Sequence, residues 1–232
     1  MRIAILSDIH GNLEALRSVD GSFDELWVLG DLVNYGPDPG AVVEFVRQNA
    51  AVVVSGNHDR AIGMGVDPRC SPAFREMAQA MQAYTESVLS EDQKEYLRGL
   101  PPNARREVDG TRSYLCHAAP SEPLYTYAPA DEAFWTKEAA AADADVLLVG
   151  HTHLPFVLDV PGRRIVNPGS VGQPKHGVPE ARYAIWEDGV ITLKSSRYAV
   201  DDTIRKLLDL PIDKIIAAEL ATVLRRGGLF TQ

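Results

Sequence analysis

Cysteine is scarce in this sequence of 232 residues. Cys70 and Cys116 are the only two, and they lie far apart in segments of different character. Two distant cysteines predict neither a disulfide framework nor a thiolate metal site. We expect both thiols to be reduced, as they are in a reducing compartment such as the cytoplasm.

Long apolar runs are missing as well. Every apolar stretch is far shorter than the roughly 20 residues that a transmembrane helix needs. The N-terminal segment MRIAILSD reaches an aspartate after a brief aliphatic run, whereas a signal peptide has an apolar core of roughly 7 to 15 residues. The sequence therefore predicts no membrane span and no export.

Positive charge is also in deficit, because 23 Lys and Arg residues face 32 Asp and Glu residues, for a net charge of −9. Sequence-independent binding of nucleic acid works through neutralisation of phosphates by Lys and Arg, so we do not expect it here. An anionic small molecule remains a compatible substrate, since bound cations can reverse the sign of the local charge.

The remaining composition is that of an ordinary globular protein, with 45% hydrophobic and 24% charged residues. A chain of this length predicts a single domain over residues 1–232. Within it, residues 72–98 predict a helical insertion, with a new helix at Ser90 because SEDQ offers a capping box. Residues 201–232 predict two amphipathic helices, broken at Pro211 and ended by Gly227.

Short aliphatic or aromatic runs, each followed by small and polar residues, predict strands. They cover residues 2–6, 26–29, 51–54, 113–116 and 146–149. Helical patterns between the first three predict a β-α-β-α-β series with a parallel sheet, hence an α/β fold. From 156 to 198, four runs separated by Pro-Gly, Asn-Pro-Gly and Asp-Gly predict an antiparallel meander with hairpins.

Five of the six histidines directly follow these strand-like runs, together with two aspartates and an asparagine. The set is His10, His58, His117, His151, His153, Asp8, Asp31 and Asn57. Each residue alone has an ordinary explanation as a turn residue, a helix cap or a satisfied core histidine. Loops beyond the carboxyl ends of parallel strands are, however, where α/β proteins bind ligands, and the repeated coincidence favours one shared site.

Oxygen and imidazole donors without any thiolate suit Mn²⁺, Fe, Zn²⁺ or Ni²⁺. Even without His58, the seven other residues are too many ligands for one ion. Two ions about 3.5 to 4 Å apart that share a carboxylate would use them all, and such pairs commonly hydrolyse phosphate esters. Asp31, which follows the second strand, is the natural shared ligand.

The order of these motifs resembles the calcineurin-like metallophosphoesterases. The motifs are DxH at residues 8–10, GD at 30–31, GNHD at 56–59, an isolated His117, and GHTH at 150–153. The resemblance runs from residue 3 to about 186 and includes NPGSVGQP at 167–174. It implies a four-layer αββα sandwich of two mixed sheets, with a dinuclear metal centre at the strand ends.

The resemblance also implies a role for each site residue. Asp8, His10 and His153 would hold one ion, Asn57, His117 and His151 the other, and Asp31 would bridge them. His58 would not bind metal but would stabilise or protonate the leaving oxygen, and Asp59 would orient His58 through a hydrogen bond. The implied reaction is attack of a metal-bridging hydroxide on a phosphodiester or phosphomonoester.

Substrate contacts are expected from Asn57 and His58. Asn12, after the HG dipeptide, either touches the phosphate or caps the helix that follows. The sixth histidine, His176, lies in a rim loop and is expected to be exposed and without a function.

Departures from the family pattern narrow the substrate. Ser/Thr protein phosphatases and diadenosine polyphosphate hydrolases carry GDxVDRG, whereas here Asn34 and Tyr35 replace the Asp-Arg pair. The sequence instead resembles the small bacterial phosphodiesterase-type branch, with a small phosphate ester, such as a nucleotide, as substrate. The alternative is a non-catalytic scaffold of the same fold, like the retromer's calcineurin-like subunit. Scaffold members lose catalytic positions, so the complete ligand set with His58 favours the hydrolase.

Overall fold

The computed structural model describes residues 1–228, in which strands and helices alternate from the N-terminus. The strands, in chain order, are β1 (Arg2–Leu6), β2 (Glu25–Val28), β3 (Val52–Val53), β4 (Asn103–Val108), β5 (Thr111–Cys116), β6 (Val146–Leu148), β7 (Phe156–Val160), β8 (Arg163–Asn167), β9 (Ala181–Glu187) and β10 (Val190–Ser196). The helices are α1 (Leu13–Arg17), α2 (Pro39–Asn49), α3 (Asn57–Met64), α4 (Arg75–Val88), α5 (Glu91–Gly99), α6 (Glu132–Ala142), α7 (Val200–Asp209) and α8 (Lys214–Arg226).

The strands form two mixed sheets of five strands each. The first has the order β10-β9-β1-β2-β3, and the second has the order β4-β5-β6-β8-β7. In the first sheet β1, β2 and β3 are parallel, while β9 and β10 extend it in antiparallel fashion. In the second sheet β5, β6 and β8 are parallel, and β4 and β7 are antiparallel edge strands.

Side-chain alternation along the strands places the two sheets face to face. In β1, Ile3 and Ile5 point into a buried cluster shared with Leu115 and Leu148 of the second sheet. Ala4 and Leu6 of the same strand belong to a different cluster, on the opposite face. The apolar layer between the sheets fixes their relative position and brings the loops beyond their strands to one edge.

Helices cover the outer face of each sheet. The cluster outside the first sheet includes buried residues of α1 and α2, such as Leu16 and Val42, and the one outside the second sheet includes Trp135 of α6. Near the site, α7 and α8 pack with α4 around Tyr35. The predicted four-layer αββα arrangement of two mixed sheets is confirmed.

Several elements differ in detail from the sequence-based expectation. The predicted meander is wrong as a single unit, because β7 and β8 pair in the second sheet whereas β9 and β10 pair in the first. Residues 72–98 form a 3₁₀ turn at Pro72–Phe74 followed by α4 and α5, and Ser90 and Gln93 form the expected capping box. Residues 229–232 of the predicted C-terminal segment lie outside the described residues. Among the residues described, no helix has the length and apolar character needed to cross a membrane.

Candidate metal centre

The first sheet contributes two carboxylates and one imidazole from the loops directly after β1 and β2. Asp8 and His10 follow β1, and Asp31 follows β2. The two loops are hydrogen bonded to each other, since Asp8 N donates to Gly30 O at 3.0 Å and His10 N donates to Asp31 O at 2.9 Å. These contacts hold the two carboxylates and the imidazole at one edge of the sheet.

The second sheet contributes three histidines from the loops after β5 and β6. His117 follows β5, and His151 and His153 follow β6. Gly150 N donates to His117 O at 2.8 Å, which joins these two loops. His151 N donates to Asp8 Oδ2 at 3.1 Å, so a direct hydrogen bond also links the two sheets at the site.

The side chains gather into two adjacent groups. Donor atoms of Asp8, His10 and His153 lie within 4.8 Å of one another, and so do donor atoms of Asp31, His117 and His151. Asp31 Oδ2 lies 3.3 Å from His117 Nε2 and 3.7 Å from His10 Nε2, and therefore faces both groups. Asn57 Oδ1 lies 3.1 Å from His117 Nε2, beside the second group.

The first group carries unsatisfied lone pairs that a cation would satisfy. His10 Nδ1 and His153 Nδ1 lie 3.0 and 2.6 Å from the carbonyl oxygens of Val33 and Gln173, so each Nδ1 must donate and each Nε2 is left without a proton. The two bare Nε2 atoms nevertheless face each other at 3.2 Å. Asp8 Oδ1, which is buried and has no hydrogen-bond partner among residues 1–228, lies 3.2 Å from His153 Nε2.

The second group is also held by hydrogen bonds to the backbone. His117 Nδ1 donates to Leu29 O at 2.8 Å, which directs its Nε2 toward His151 Nδ1 and Asn57 Oδ1, both at 3.1 Å. Asn57 Nδ2 donates to Pro68 O at 2.7 Å, so the amide oxygen is the atom that faces the site. The donors present therefore fit a divalent cation in each group.

Burial and neighbouring charges act in opposite directions on the carboxylates of the site. Burial raises the pKa of Asp8, but the imidazoles of His153 and His117 outweigh burial and hold the pKa well below its usual value. His117 and His58 lower the pKa of Asp31 in the same way. Burial lowers the pKa of His10 well below its usual value and that of His151 to about 3, so these rings are neutral and free to bind an ion.

The ring of His58 lies 5.2 Å from that of His10, but its nitrogens contact other partners. Its Nδ1 lies 2.7 Å from Asn34 Nδ2, and its Nε2 lies 3.4 Å from Cys70 Sγ. The predicted hydrogen bond from Asp59 to His58 is wrong. Asp59 instead accepts from the backbone N–H groups of Asp31, Leu32 and Gly56 at 2.7 to 3.0 Å.

Asp59 therefore holds the loop that carries Asp31 rather than the ring of His58. Burial and the neighbouring Asp31 carboxylate raise the pKa of Asp59 to about 7, while the backbone donors of Gly56 and Leu32 act in the opposite direction. Its position as the third residue of α3 explains the Gly56 contact, which is a local capping interaction. The contacts with residues 31 and 32 depend on the packing of two separate turns.

Asn12 and His176 lie outside the two groups. Asn12 Oδ1 caps α1 by accepting from Ala15 N at 3.1 Å, and Asn12 Nδ2 donates to Gly172 O at 3.0 Å. Of the two alternatives for Asn12, the structure shows the helix cap. His176 is partly buried rather than exposed, and its Nε2 accepts a hydrogen bond from Arg182 Nε at 3.0 Å.

Two residues near the site, Tyr127 and Lys175, were not singled out from the sequence. Tyr127 stacks on His151 with ring centroids 4.2 Å apart, and 46% of Tyr127 is exposed. Lys175 Nζ lies 4.4 Å from the centroid of the Phe74 ring, and burial lowers the pKa of Lys175 to about 8. The sequence offers no local pattern that would have identified these contacts, because each joins loops that are distant along the chain.

Comparison with known proteins places this geometry in a family. A model of the calcineurin-like phosphoesterase superfamily domain matches residues 1–188. The chain belongs to this superfamily. The superfamily is one of dinuclear, metal-dependent phosphoesterases, and this chain carries two candidate metal-binding groups, so the sequence-based assignment of the chain as a metal-dependent phosphoester hydrolase is confirmed.

Individual relatives agree with this placement. A metallophosphoesterase from Sphaerobacter thermophilus is 34% identical, with 95% of this chain and 99% of that one covered and a TM-score of 0.79. An uncharacterized protein of Methanocaldococcus jannaschii is 29% identical over 86% of this chain and 88% of its own length. A symmetrical bis(5'-nucleosyl)-tetraphosphatase of Nitrosospira multiformis is 39% identical over 67 residues, which are 25% of this chain and 24% of that protein.

Proposed function

We propose that this phosphoesterase hydrolyses a small phosphodiester or phosphomonoester with two divalent ions bound side by side. Asp8, His10 and His153 would bind one ion, Asn57, His117 and His151 the other, and Asp31 would bridge them. The observation that carries the proposal is the position of Asp31 Oδ2, which lies within 4 Å of a histidine nitrogen in each group. The bare, facing nitrogens of His10 and His153 support it independently.

The two ions, when bound, would supply an acidified water as nucleophile and neutralise charge on the phosphoryl oxygens. The protein's own contribution is orientation. Backbone carbonyls fix three imidazoles, and three backbone N–H groups anchor Asp59, which in turn holds the loop of Asp31. His58 is the candidate residue for contact with the leaving oxygen, since neither of its nitrogens belongs to the two donor groups.

A small, nucleotide-like substrate is the class that we favour. The candidate ligands are at most 4% exposed, and Cys70 Sγ lies 3.4 Å from His58 Nε2. Ligands as deeply buried as these suit a small phosphate ester better than a folded phosphoprotein. Tyr127, which is 46% exposed, offers an aromatic surface for a planar group, and the local similarity to a dinucleoside tetraphosphatase supports the same class.

The chain as a whole is proposed to act as one domain in the cytoplasm. Both cysteines are free and buried, which accords with a reducing compartment. The native ion would be Mn²⁺, Fe, Zn²⁺ or Ni²⁺, because all of these accept mixed imidazole and carboxylate ligands.

The test combines metal content with turnover. Protein stripped of metal is reloaded with Mn²⁺, Fe²⁺, Co²⁺, Ni²⁺ or Zn²⁺ and assayed with bis(p-nitrophenyl) phosphate and p-nitrophenyl phosphate. We expect two ions per chain and turnover only in the loaded protein. No turnover with any ion would contradict the hydrolase and favour the scaffold alternative.

The His58→Ala variant separates metal binding from chemistry. We expect it to retain both ions and lose about 10²- to 10⁴-fold in kcat, the usual contribution of a positioned proton donor. His176→Ala is the matched control, because it removes the histidine that lies outside the site, and it should keep full activity. Loss of metal from His58→Ala would contradict the assignment of His58.

A further inference from the structure

The orientation of the Asn34 side chain is fixed by its surroundings. Asn34 lies three residues after Asp31 and is 1% exposed. Its Oδ1 accepts from Tyr35 N at 3.1 Å, and its Nδ2 lies 3.2 Å from Ala78 O. A backbone N–H can only donate and a carbonyl can only accept, so the amide oxygen and nitrogen cannot be exchanged. The atom that faces His58 Nδ1 at 2.7 Å is therefore the amide NH₂.

This contact determines which nitrogen of the neutral His58 ring carries the proton. An amide NH₂ has no acceptor capacity, so His58 Nδ1 must accept and the ring proton must be on Nε2. His58 Nε2 faces Cys70 Sγ at 3.4 Å, and Tyr35 Oη donates to the same sulfur at 3.4 Å. Sulfur is a weak acceptor, so an ester oxygen of a substrate would readily replace it as the partner of this N–H.

We propose that Asn34 is a positioning residue that fixes His58 as the Nε2–H tautomer, so that this N–H donates to the leaving oxygen of the substrate. The proposal rests on the proposed function and extends it to the leaving group. When a hydroxide oxygen forms its bond to phosphorus, the leaving oxygen takes the electron pair of the breaking P–O bond. The proton stays on Nε2, and the hydrogen bond that this N–H donates stabilises the negative charge on the leaving oxygen.

This arrangement favours a particular substrate class. A leaving group that is stable as an anion needs only a hydrogen bond, whereas an alkoxide needs a full proton. The site should therefore prefer aryl esters and phosphoanhydrides, in which the leaving group is a phenolate or a phosphate, over simple alkyl esters. A carboxylate in place of the Asn34 amide would accept from Nδ1 instead, and would reverse the hydrogen bond that sets the tautomer.

The first test reads the tautomer directly and does not depend on turnover. Long-range ¹H–¹⁵N correlation spectra of Zn²⁺-loaded, full-length protein report the protonation of each ring nitrogen, and His58→Ala identifies the His58 signals. We expect Nε2 protonated and Nδ1 unprotonated. Asn34→Asp, which has the same shape but can only accept, should place a proton on Nδ1. A wild-type Nδ1–H would overturn the proposal, even if the protein hydrolyses phosphate esters.

The second test is a double-mutant cycle with Asn34→Gly and His58→Ala. Glycine is chosen because Asn34 has a φ of 73°, which glycine adopts without strain. Asn34→Gly should lower kcat about tenfold with KM unchanged, and more strongly for phenyl than for p-nitrophenyl leaving groups. In the His58→Ala background, Asn34→Gly should not lower kcat any further, because the contribution of Asn34 acts through His58.

Asp188→Gly is the matched control, since Asp188 is a surface residue with a φ of 50° in the turn between β9 and β10. It should leave kcat and KM unchanged. An equal loss from Asn34→Gly with and without His58 would overturn the proposal and assign Asn34 a purely structural role. Failure of the wild-type protein to hydrolyse any ester while His58 shows the expected tautomer would instead count against the proposed function.

Discussion

Three of the candidate ligand histidines donate Nδ1–H to a backbone carbonyl. The pairs are His10 with Val33, His117 with Leu29, and His153 with Gln173. Such hydrogen bonds from the second nitrogen fix the tautomer and the ring plane of a metal-bound imidazole. The backbone therefore prepares these rings for an ion before any ion arrives.

The proton on His117 makes metal binding depend on pH. Burial lowers the pKa of His117, but the carboxylates of Asp31 and Asp8 outweigh burial and raise it to about 9 in the metal-free protein. Below that pH the metal-free ring holds a proton on Nε2, which an ion must displace. We expect loading between pH 7 and 8 to release about one proton, with affinity rising toward pH 9 and lost below about pH 6.

Isothermal titration calorimetry of Mn²⁺ binding, in buffers with different ionisation enthalpies, measures this proton release. The rings of His10 and His151 should add little to it, because their pKa values are lowered and they are already neutral. Affinity that stays constant from pH 6 to 8.5 would show that no ligand titrates in this range.

The order of motifs along the chain predicted which side chains meet, because each follows a strand and strand ends share an edge. The partner of His58 was not predictable in the same way. Asn34 Nδ2 contacts both His58 and the carbonyl oxygen of Ala78 in α4. The orientation of the amide toward His58 therefore depends on a helix that is distant along the chain. The contact of Asp59 with Gly56 could have been predicted from the sequence, because Asp59 is the third residue of α3, after the N-cap Gly56.

At the level of elements, the loops that carry the site share an unusual backbone conformation. Non-glycine residues rarely have positive φ, and each such residue costs about 1 to 3 kcal/mol unless its surroundings hold it. Five candidate ligands have φ between 48° and 66°: Asp8, His10, Asp31, His151 and His153. The strain is concentrated where side chains two residues apart are directed into the same site.

The turn after β3 packs against the turn after β2 so closely that position 56 admits only glycine. A Cβ at Gly56 would lie 2.0 Å from Asp31 Oδ1 and 2.3 Å from Asp31 N. We expect Gly56→Ala to displace Asp31, lower the free energy of unfolding by about 1 to 3 kcal/mol, and reduce the bound metal below two ions per chain. Urea denaturation and metal analysis measure the two effects.

Gly99→Ala is the control for this substitution, because a Cβ at Gly99 meets no atom within 4 Å. Gly99 lies at the end of α5, so Gly99→Ala should leave the metal content unchanged. If Gly56→Ala retained both ions and its stability, the close contact between the two turns would not be needed to position Asp31.

Sequence patterns were informative for elements whose character is local. The runs that predicted strands at 2–6 and 113–116 correspond to β1 and β5, and the capping box at Ser90 begins α5. The hairpins after residue 156 were recognised, but their division between two sheets was not. Turn residues such as Pro-Gly specify that a chain reverses, whereas the sheet that a hairpin joins depends on which strand edge is free.

On the scale of the whole molecule, the site joins the two sheets. Asp8, His10, Asp31 and Asn57 come from the first sheet, and His117, His151 and His153 come from the second. Ions bound there would bind the folded state alone and stabilise it by mass action, by about 2.7 kcal/mol at a free ion concentration of 100 times Kd. Folding and metal binding should therefore be linked across the entire chain.

The C-terminal helices extend this linkage beyond the segment matched by the family domain. Leu220 of α8 is 2% exposed and packs in the same cluster as Tyr35, whose ring lies 4.9 Å from those of His10 and His58. We expect Leu220→Ala to lower the free energy of unfolding by about 2 to 5 kcal/mol. Ile215→Ala on the same helix, at a residue that is 71% exposed, should change it by less than about 0.5 kcal/mol.

If the chain is one domain, Leu220→Ala should shift a single transition rather than detach α8. Circular dichroism and release of bound metal, followed together during urea unfolding of the loaded protein, should then report coincident midpoints in both variants and in the wild type. A separate early transition in Leu220→Ala that leaves the ions bound would show that α7 and α8 form an independent unit. Coincident midpoints are expected because the buried contacts of α8 reach Tyr35, whose ring touches the imidazoles of the site.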